Sequence, residues 1–306
     1  MNYMTTKEAS RKWNITDSRI RVLCDEGRIE GAIKIGRNWS IPIDAVKPID
    51  GRTKTNNIYK GINQSFFLID QLKKEIDKNR PFSSRMSENL QQNLIVEWTY
   101  NSNAIEGNTL TLSETKVVLE GITIGGKSVK EHLEAINHKE AILYLKMLVN
   151  GNEPISEWSI KNIHQIILKD IDNLNAGKYR TENVLISGAK HIPPKYYLVP
   201  ELMQKLVMEY HHEWKEYHPV VIATLLHGEF VKIHPFIDGN GRTARLLLNF
   251  VLLLYGYPPI VIKKENRLEY YNALDRAHIA KDYSEFIDLV IQLVVASEKL
   301  WLDLLK

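Results

Sequence analysis

The run His234-Pro-Phe-Ile-Asp-Gly-Asn-Gly-Arg-Thr-Ala-Arg245 decides how this chain is read. It separates an amphipathic segment ending near Ile233 from Leu246–Leu254, which is apolar nearly all round. Helical periodicity on both sides makes the run a turn between two helices, the second buried on every face. Gly239 and Gly241 flank Asn240, so the backbone can turn sharply and approach a ligand with no Cβ in the way. The helix that follows aims free amides and its positive dipole end outward, a ready anion site. Arg242 and Arg245, three apart in its first turns, share a face and can grip oxygens of two phosphates. Asp238 is a hard oxygen ligand suited to one Mg²⁺ shared with a nucleotide. His234 is the group there that can take a proton near neutral pH. Phosphoryl-type transfer is the natural chemistry: metal and arginines absorb phosphate charge while the histidine deprotonates an incoming hydroxyl.

Outward from this run, residues 63–306 read as a mainly α bundle. Helices are expected over about 63–79, 87–104, 112–120, 129–149, 157–169, 200–215, 219–232, 240–255, 266–279 and 283–305. Leu90, Leu94 and Trp98 recur at four-residue spacing, as do Val221, Leu225 and the pair Glu229/Phe230, giving each helix one buried stripe. The exception is 183–192, where Val184-Leu-Ile and Lys190-His-Ile around Ser187-Gly188 read as a small hairpin.

Residues 1–50 differ in texture. Thr6–Trp13 forms one helical step capped by Thr5 or Thr6, Asn14–Thr16 a turn, and Asp17 caps a second helix running to Glu26 and ended by Gly27. Two β-like pieces follow, Ala32–Ile35 and Trp39–Pro42. The layout resembles a small excisionase-type winged helix-turn-helix. That resemblance implies DNA contacts from Arg19 and Arg21 on the second helix and from Lys34 and Arg37 on the wing. With nine Lys/Arg against seven Asp/Glu in this region, a protein-docking module of the same shape is the other reading. Polar residues 51–62 are expected to be a linker.

Bulk numbers exclude several classes. A net charge of +3 gives no global field for nucleic acid. The single cysteine, Cys24, excludes an internal disulfide framework and suits a reducing cytosol; its apolar neighbours make it a buried structural residue. The N-terminus lacks the apolar core of a signal peptide, and Leu246–Ile262 is interrupted by Asn249 and Gly256–Pro259, too short to span a bilayer. A cytoplasmic protein without a membrane partner is expected.

One motif is a decoy. Gly121-Ile-Thr-Ile-Gly-Gly-Lys-Ser128 fits the P-loop pattern, which needs a buried strand immediately before it. Leu112–Glu120 instead carries three charges at helical spacing behind the capping box Thr111/Glu114, and Ser128/Glu131 opens another helix. A helix–loop–helix connection is expected.

The run 234–245 matches all eight defined positions of HxFx[DE]GNGRxxR, the signature of the Fic family. The resemblance implies the Fic helical fold and transfer of AMP from ATP to a Ser, Thr or Tyr hydroxyl, releasing pyrophosphate. It makes His234 the base and Asp238 the metal holder. Asn240 and the loop amides, with Gly239 and Gly241, orient the α-phosphate, and Arg242 and Arg245 hold the distal phosphates. Phe236 anchors the loop. A lysine at 239 would resemble the Doc branch, which phosphorylates. Residues 183–192 resemble the family's flap, which clamps a target segment by strand addition through Val184, Leu185, Ile186 and His191. Arg267-x-x-Tyr270-Tyr271 also resembles the family and makes Tyr271 an adenine neighbour, although ordinary packing is the other reading of both tyrosines. His278 stands where several relatives have asparagine.

Ser102-Asn-Ala-Ile-Glu106-Gly107 matches the inhibitory motif [ST]xxxE[GN] of the same family. The resemblance implies an inhibitory helix near 87–107 ahead of a catalytic core near 128–280, with Glu106 paired to Arg245. Two alternatives stay open: an enzyme in which Glu106 helps remove AMP, and a DNA-binding regulator whose Fic domain senses nucleotide. The implied partners are a protein with a modifiable hydroxyl or the chain itself, with DNA and a homodimer also open.

Overall fold

The computed structural model describes residues 3–13, 15–25, 27–29, 31–36, 38–47, 64–81, 84–186 and 188–305; Arg37 and the expected linker 51–62 lie outside them. The chain divides into two compact units, residues 1–57 and 58–306.

The first unit runs β1 (Tyr3–Thr5), α1 (Thr6–Trp13), α2 (Asp17–Asp25), β2 (Ile33–Ile35) and β3 (Asn38–Pro42). Its antiparallel sheet has the order β1-β3-β2, with Tyr3 opposite Pro42 and Ile33 opposite Ser40. β1 was not expected, because three residues are too few to show an alternation. Thr5 caps α1 in a reciprocal box with Glu8. For α2 the cap is Thr16, whose Oγ1 accepts the Arg19 amide at 3.3 Å, and not the expected Asp17, which is already the first helical residue. Met4, Ala9, Trp13, Ile20, Leu23, Cys24, Ile29 and Ile41 form this unit's own core. Cys24 is buried as expected, and burial pushes its thiol pKa up.

The second unit is helical: α3 (Gln64–Asp77), α4 (Ser84–Ile105), α5 (Leu112–Leu119), α6 (Val129–Asn150), α7 (Glu157–Ile167), α8 (Val199–Met208), α9 (Pro219–Ile233), α10 (Asn240–Leu254), α11 (Arg267–Ala280) and α12 (Ser284–Leu304). The expected helix 200–215 is shorter, because its last turn is a π-helical stretch, Glu209–Glu213. The reciprocal boxes Thr111/Glu114 and Ser128/Glu131 open α5 and α6, each worth about 1 kcal/mol, so Gly121–Ser128 is indeed a helix–helix loop.

α10 is the hub. Leu246, Leu247, Leu248, Phe250, Val251 and Leu252 are all at most 1% exposed, and each large side chain contributes roughly 1.5–3 kcal/mol by leaving water. α9 lies along α10 as the other half of the central pair, with α4, α6 and α7 also against it. Trp98 and Ser102, one turn apart on α4, are both buried, and Glu106 follows just past the helix end. No helix among the described residues is long and apolar enough to cross a membrane.

Candidate active site

α9 ends in a backbone conformation unusual for a side-chain-bearing residue. His234, its C-cap, is left-handed at φ 52° and ψ 61°. Its Nδ1 sits 3.3 Å from the Val231 carbonyl, so Nδ1 carries the proton and Nε2 is left as the acceptor. Burial lowers the imidazole pKa to about 4; the Val231 bond opposes that, and the nearby Arg180 adds to it. At neutral pH the ring is therefore uncharged, the state a base requires.

The loop is braced from beneath. Phe236 is fully buried and stacks on His164 with ring centres 3.6 Å apart. His164 Nδ1 accepts the Gly177 amide at 2.9 Å, so its Nε2 carries the hydrogen and donates to the Asp238 carbonyl at 2.9 Å. Asn240 closes the loop on itself. Its Oδ1 accepts from Phe236 N at 3.0 Å and its Nδ2 donates to Phe236 O at 2.9 Å. Both side-chain groups of Asn240 thus take part in holding the loop's shape. Gly239 has φ +76°, and a Cβ there would meet His164 and Ile167 at 3.3 Å.

Gly239 offers no side-chain cap, so the first amides of α10 have no partner from the cap. Opposite them stands Glu106, immediately after the last residue of α4. A Cβ on Gly241 would lie 2.2 Å from Glu106 Oε1. The carboxylate therefore occupies the space that the bare Gly241 backbone opens over the helix end. Arg245, 4% exposed, donates from Nη2 to Glu106 Oε1 at 2.8 Å and to the Ser102 carbonyl at 2.7 Å, and from Nε to Ser102 Oγ at 3.0 Å. Burial works against the Arg245 charge, but Glu106 and Tyr270 outweigh it and leave the pKa raised.

Arg242 is 2% exposed and lies 3.3 Å from Glu134 Oε1 and 3.4 Å from Asp238 Oδ1. Its Nε, like Nη1 of Arg245, lacks a hydrogen-bond partner, while its Nη1 meets Glu134 only as an ion pair. Buried cationic donors left unsatisfied beside an uncapped helix end fit an anion that completes them. Glu134 also accepts from Asn108 Nδ2 at 2.8 Å, tying the turn after α4 to the same arginine. Asp238 is half-exposed and accepts the Gly239 amide at 2.6 Å. Burial would raise its pKa, but Arg242 and that amide hold it low.

The remaining expected residues lie at the margins. The flap is not a paired hairpin: among the described residues 183–192 no strand forms, and only an Ile186–Ala189 turn is closed. Leu185 and Ile192 are exposed, Val184 and Ile186 half-buried, and His191 donates to the Lys232 carbonyl. The Val184–Ile186 piece finds no partner strand, so the expected hairpin does not form among the described residues. Tyr271 is 36% exposed, its hydroxyl 3.4 Å from the Ile105 carbonyl, whereas Tyr270 is buried on His227. His278 is buried and donates to the Gly228 carbonyl. In the first unit Arg21 pairs with Asp17 at 3.0 Å, Lys34 lies 3.7 Å from Asp25, and Arg19 is half-buried. Sequence reading missed His164, Glu134 and Arg180, whose local sequence carries no motif and whose roles come from partners far along the chain.

Comparison with known proteins agrees with this geometry. A sequence model of the Fic/DOC family matches residues 154–252. The protein adenylyltransferase Fic of Nematostella vectensis is 35% identical over 246 residues, 76% of this chain and 56% of that protein. That of Aedes aegypti is 33% identical over 241 residues, 74% of this chain and 46% of that protein. The chain thus spans about half the length of the curated relatives it matches. Among solved structures, a Fic-domain-containing signalling protein from Bacteroides thetaiotaomicron superposes with a TM-score of 0.72 at 31% identity, covering 78% of this chain and 96% of that one. Fic-1 from C. elegans (residues 134–508) gives 0.73 at 31%, covering 82% and 75%. With a structural relative matched over nearly its whole length, the chain belongs to the Fic/DOC family.

Proposed function

We propose that this chain is a protein adenylyltransferase held off by its own Glu106. The observation that carries the reading is the Glu106 carboxylate seated over Gly241 and bonded to Arg245, as one oxyanion stands in for another. ATP would place its phosphates against the α10 amides, Arg242 and Arg245, and its adenine toward Tyr271. Asp238 fits the role of magnesium holder: a half-exposed carboxylate, kept ionised, beside the phosphate cradle. The ion would neutralise phosphate charge.

In the transfer step a protein hydroxyl, on a target or on this chain, gives its proton to His234 Nε2. Its oxygen bonds to the α-phosphorus, and the bond from that phosphorus to the β-bridging oxygen breaks, releasing pyrophosphate. The neutral His234 ring supplies the base, and the Arg242 and Arg245 guanidiniums absorb charge on the leaving group. While Glu106 holds Arg245, that guanidinium is not free for the terminal phosphate. Incubating Glu106→Gly with α-labelled ATP and Mg²⁺ tests this: label should enter protein far faster than with the parent chain. Equal, absent labelling in both would refute it.

A second reading starts from the same placement of the Glu106 carboxylate over Gly241, in the loop that His234 opens. In it Glu106 helps a water remove AMP from modified protein. It differs in sign: Glu106→Gly would then lose AMP removal. For residues 1–50, DNA docking is supported by the helix pair and antiparallel ribbon. The Arg21–Asp17 and Lys34–Asp25 pairs are exposed and screened by solvent, so phosphates could displace them. Salt-sensitive duplex binding lost in Arg19→Ala/Arg21→Ala would support it; salt-independent binding would not.

A further inference from the structure

Arg180 makes contacts that neither the catalytic loop nor the flap segment supplies by itself. It is 3% exposed, and its guanidinium spends its nitrogens on backbone carbonyls. Nε donates to His234 O at 2.8 Å, Nη1 to Glu182 O at 2.9 Å, and Nη2 to Pro194 O at 2.5 Å and, at the limit of 3.5 Å, to Ile233 O. Its own amide donates to Pro235 O at 2.9 Å. Glu182 and Pro194 are the two feet of the 183–192 segment. One planar fork therefore joins both feet to the carbonyl of the histidine that serves as base.

A buried guanidinium is costly to dehydrate, and these partners are carbonyls rather than a carboxylate. Its use here follows from geometry, because only a rigid fork with several divergent donors can hold three backbone segments at fixed angles. Other bonds also restrain the segment: Tyr196 N to Asn183 Oδ1, Lys190 N to Asp275, and His191 to the Lys232 carbonyl. Each ties the segment to itself or to a helix. Among the described contacts, the Arg180 fork is what reaches His234.

We infer that the segment between Glu182 and Pro194 lines up a protein acceptor, and that Arg180 is a positioning residue fixing its separation from the His234 base. Transfer to a protein hydroxyl depends on that separation. Transfer to water does not, since water needs no docking segment. The inference rests on the transfer reading above and names what aligns its acceptor. The guanidinium also lies beside His234 and, after burial itself, helps keep its ring neutral.

The test uses the full chain with Glu106→Gly throughout, and compares Arg180→Lys, which keeps a cation without the fork, with Arg180→Met, which keeps neither. α-Labelled ATP with Mg²⁺ is supplied, and label entering this chain and lysate proteins is counted against label released as free AMP. Both substitutions should cut protein labelling on the order of 100-fold, the cost of misplacing reacting groups by about 1 Å. AMP release should stay near the parent rate. A parallel fall in both, or unchanged labelling, overturns the inference. Should Arg180→Met not fold, the same ratio in Arg180→Lys decides.

NMR titration of His234 gives a readout that needs no turnover. Its pKa should rise in Arg180→Met and hold in Arg180→Lys; the other groups facing it are Glu106, absent from this background, and His191, unchanged in every arm. If the Glu106→Gly parent labels nothing, the transfer reading fails, and an unmoved His234 in Arg180→Met would then separately overturn the Arg180 link.

Discussion

Arg245 Nη2 and Glu106 Oε1 lie 2.8 Å apart, with the carboxylate pressed against the one backbone position, Gly241, where a Cβ would collide with it. The pair joins the end of α4 to the first turns of α10, across 139 residues of chain. It is a structural tie and, under the proposed function, the group that a triphosphate would have to displace.

That dual role has a thermodynamic consequence. Glu106→Gly leaves Arg245 buried with only its Ser102 bonds, which should cost about 1–3 kcal/mol for the donor left unpaired. ATP with Mg²⁺ should return more than that loss by filling the vacated place. Differential scanning calorimetry should show a lower Tm for the variant alone and a larger ATP-induced rise than in the parent chain. Equal rises would mean that Glu106 does not compete with phosphate.

Gly241→Ala separates the cradle from the brake. The added methyl would sit 2.2 Å from Glu106 Oε1, so it must displace the carboxylate. It also fills the surface on which phosphate should rest, so release of Glu106 gives no activity. Transfer from labelled ATP should stay undetectable in Gly241→Ala and in Gly241→Ala/Glu106→Gly. Labelling by the double variant at the Glu106→Gly rate would place the phosphates elsewhere.

The acid limb of the reaction should report His234. Its folded pKa is near 4, so the ring stays a base until the pH falls through that region. Removing Glu106, whose charge raises this pKa, shifts it lower still. The kcat/KM profile of Glu106→Gly should therefore hold level well below pH 6.5 before falling. A midpoint at 6.5 would indicate an exposed histidine.

Acid stability should follow His164. Burial holds its folded pKa near 4 against an ordinary 6.5, so the unfolded chain takes up the proton first as pH falls. Its contribution is intact above about 6.5 and is lost toward pH 4, up to about 3 kcal/mol. Urea midpoints at pH 7 and 4.5 should differ less in His164→Gln than in the parent, even though the variant starts weaker. Identical pH dependence would exclude His164 as the cause.

Much of this was legible in residue order. The Gly239-Asn240-Gly241 turn and the all-round apolarity of 246–254 locate the hub helix, since both signals are local and strong. The Ser102–Gly107 motif anticipated the contact between Glu106 and Arg245. The capping boxes at Thr111 and Ser128 removed the P-loop decoy because they test the preceding element directly. What could not be read depends on partners distant in sequence. Nothing around Arg180 shows that its fork will bridge Glu182, Pro194 and His234. The short apolar piece Val184–Ile186 beside Gly188 suggested a hairpin, but pairing needs a partner strand as well as a pattern. The resemblance makes Asn240 a phosphate contact; that its side chain also closes the loop on Phe236, four residues back, carries no signal in the sequence.

The most direct measurement is intact-protein and lysate mass spectrometry after incubating the parent, Glu106→Gly and Glu106→Gly/His234→Ala chains with ATP and Mg²⁺. The account expects AMP added to protein by Glu106→Gly alone. AMP addition that survives loss of the His234 imidazole, or none by Glu106→Gly on any protein or on itself, would contradict it.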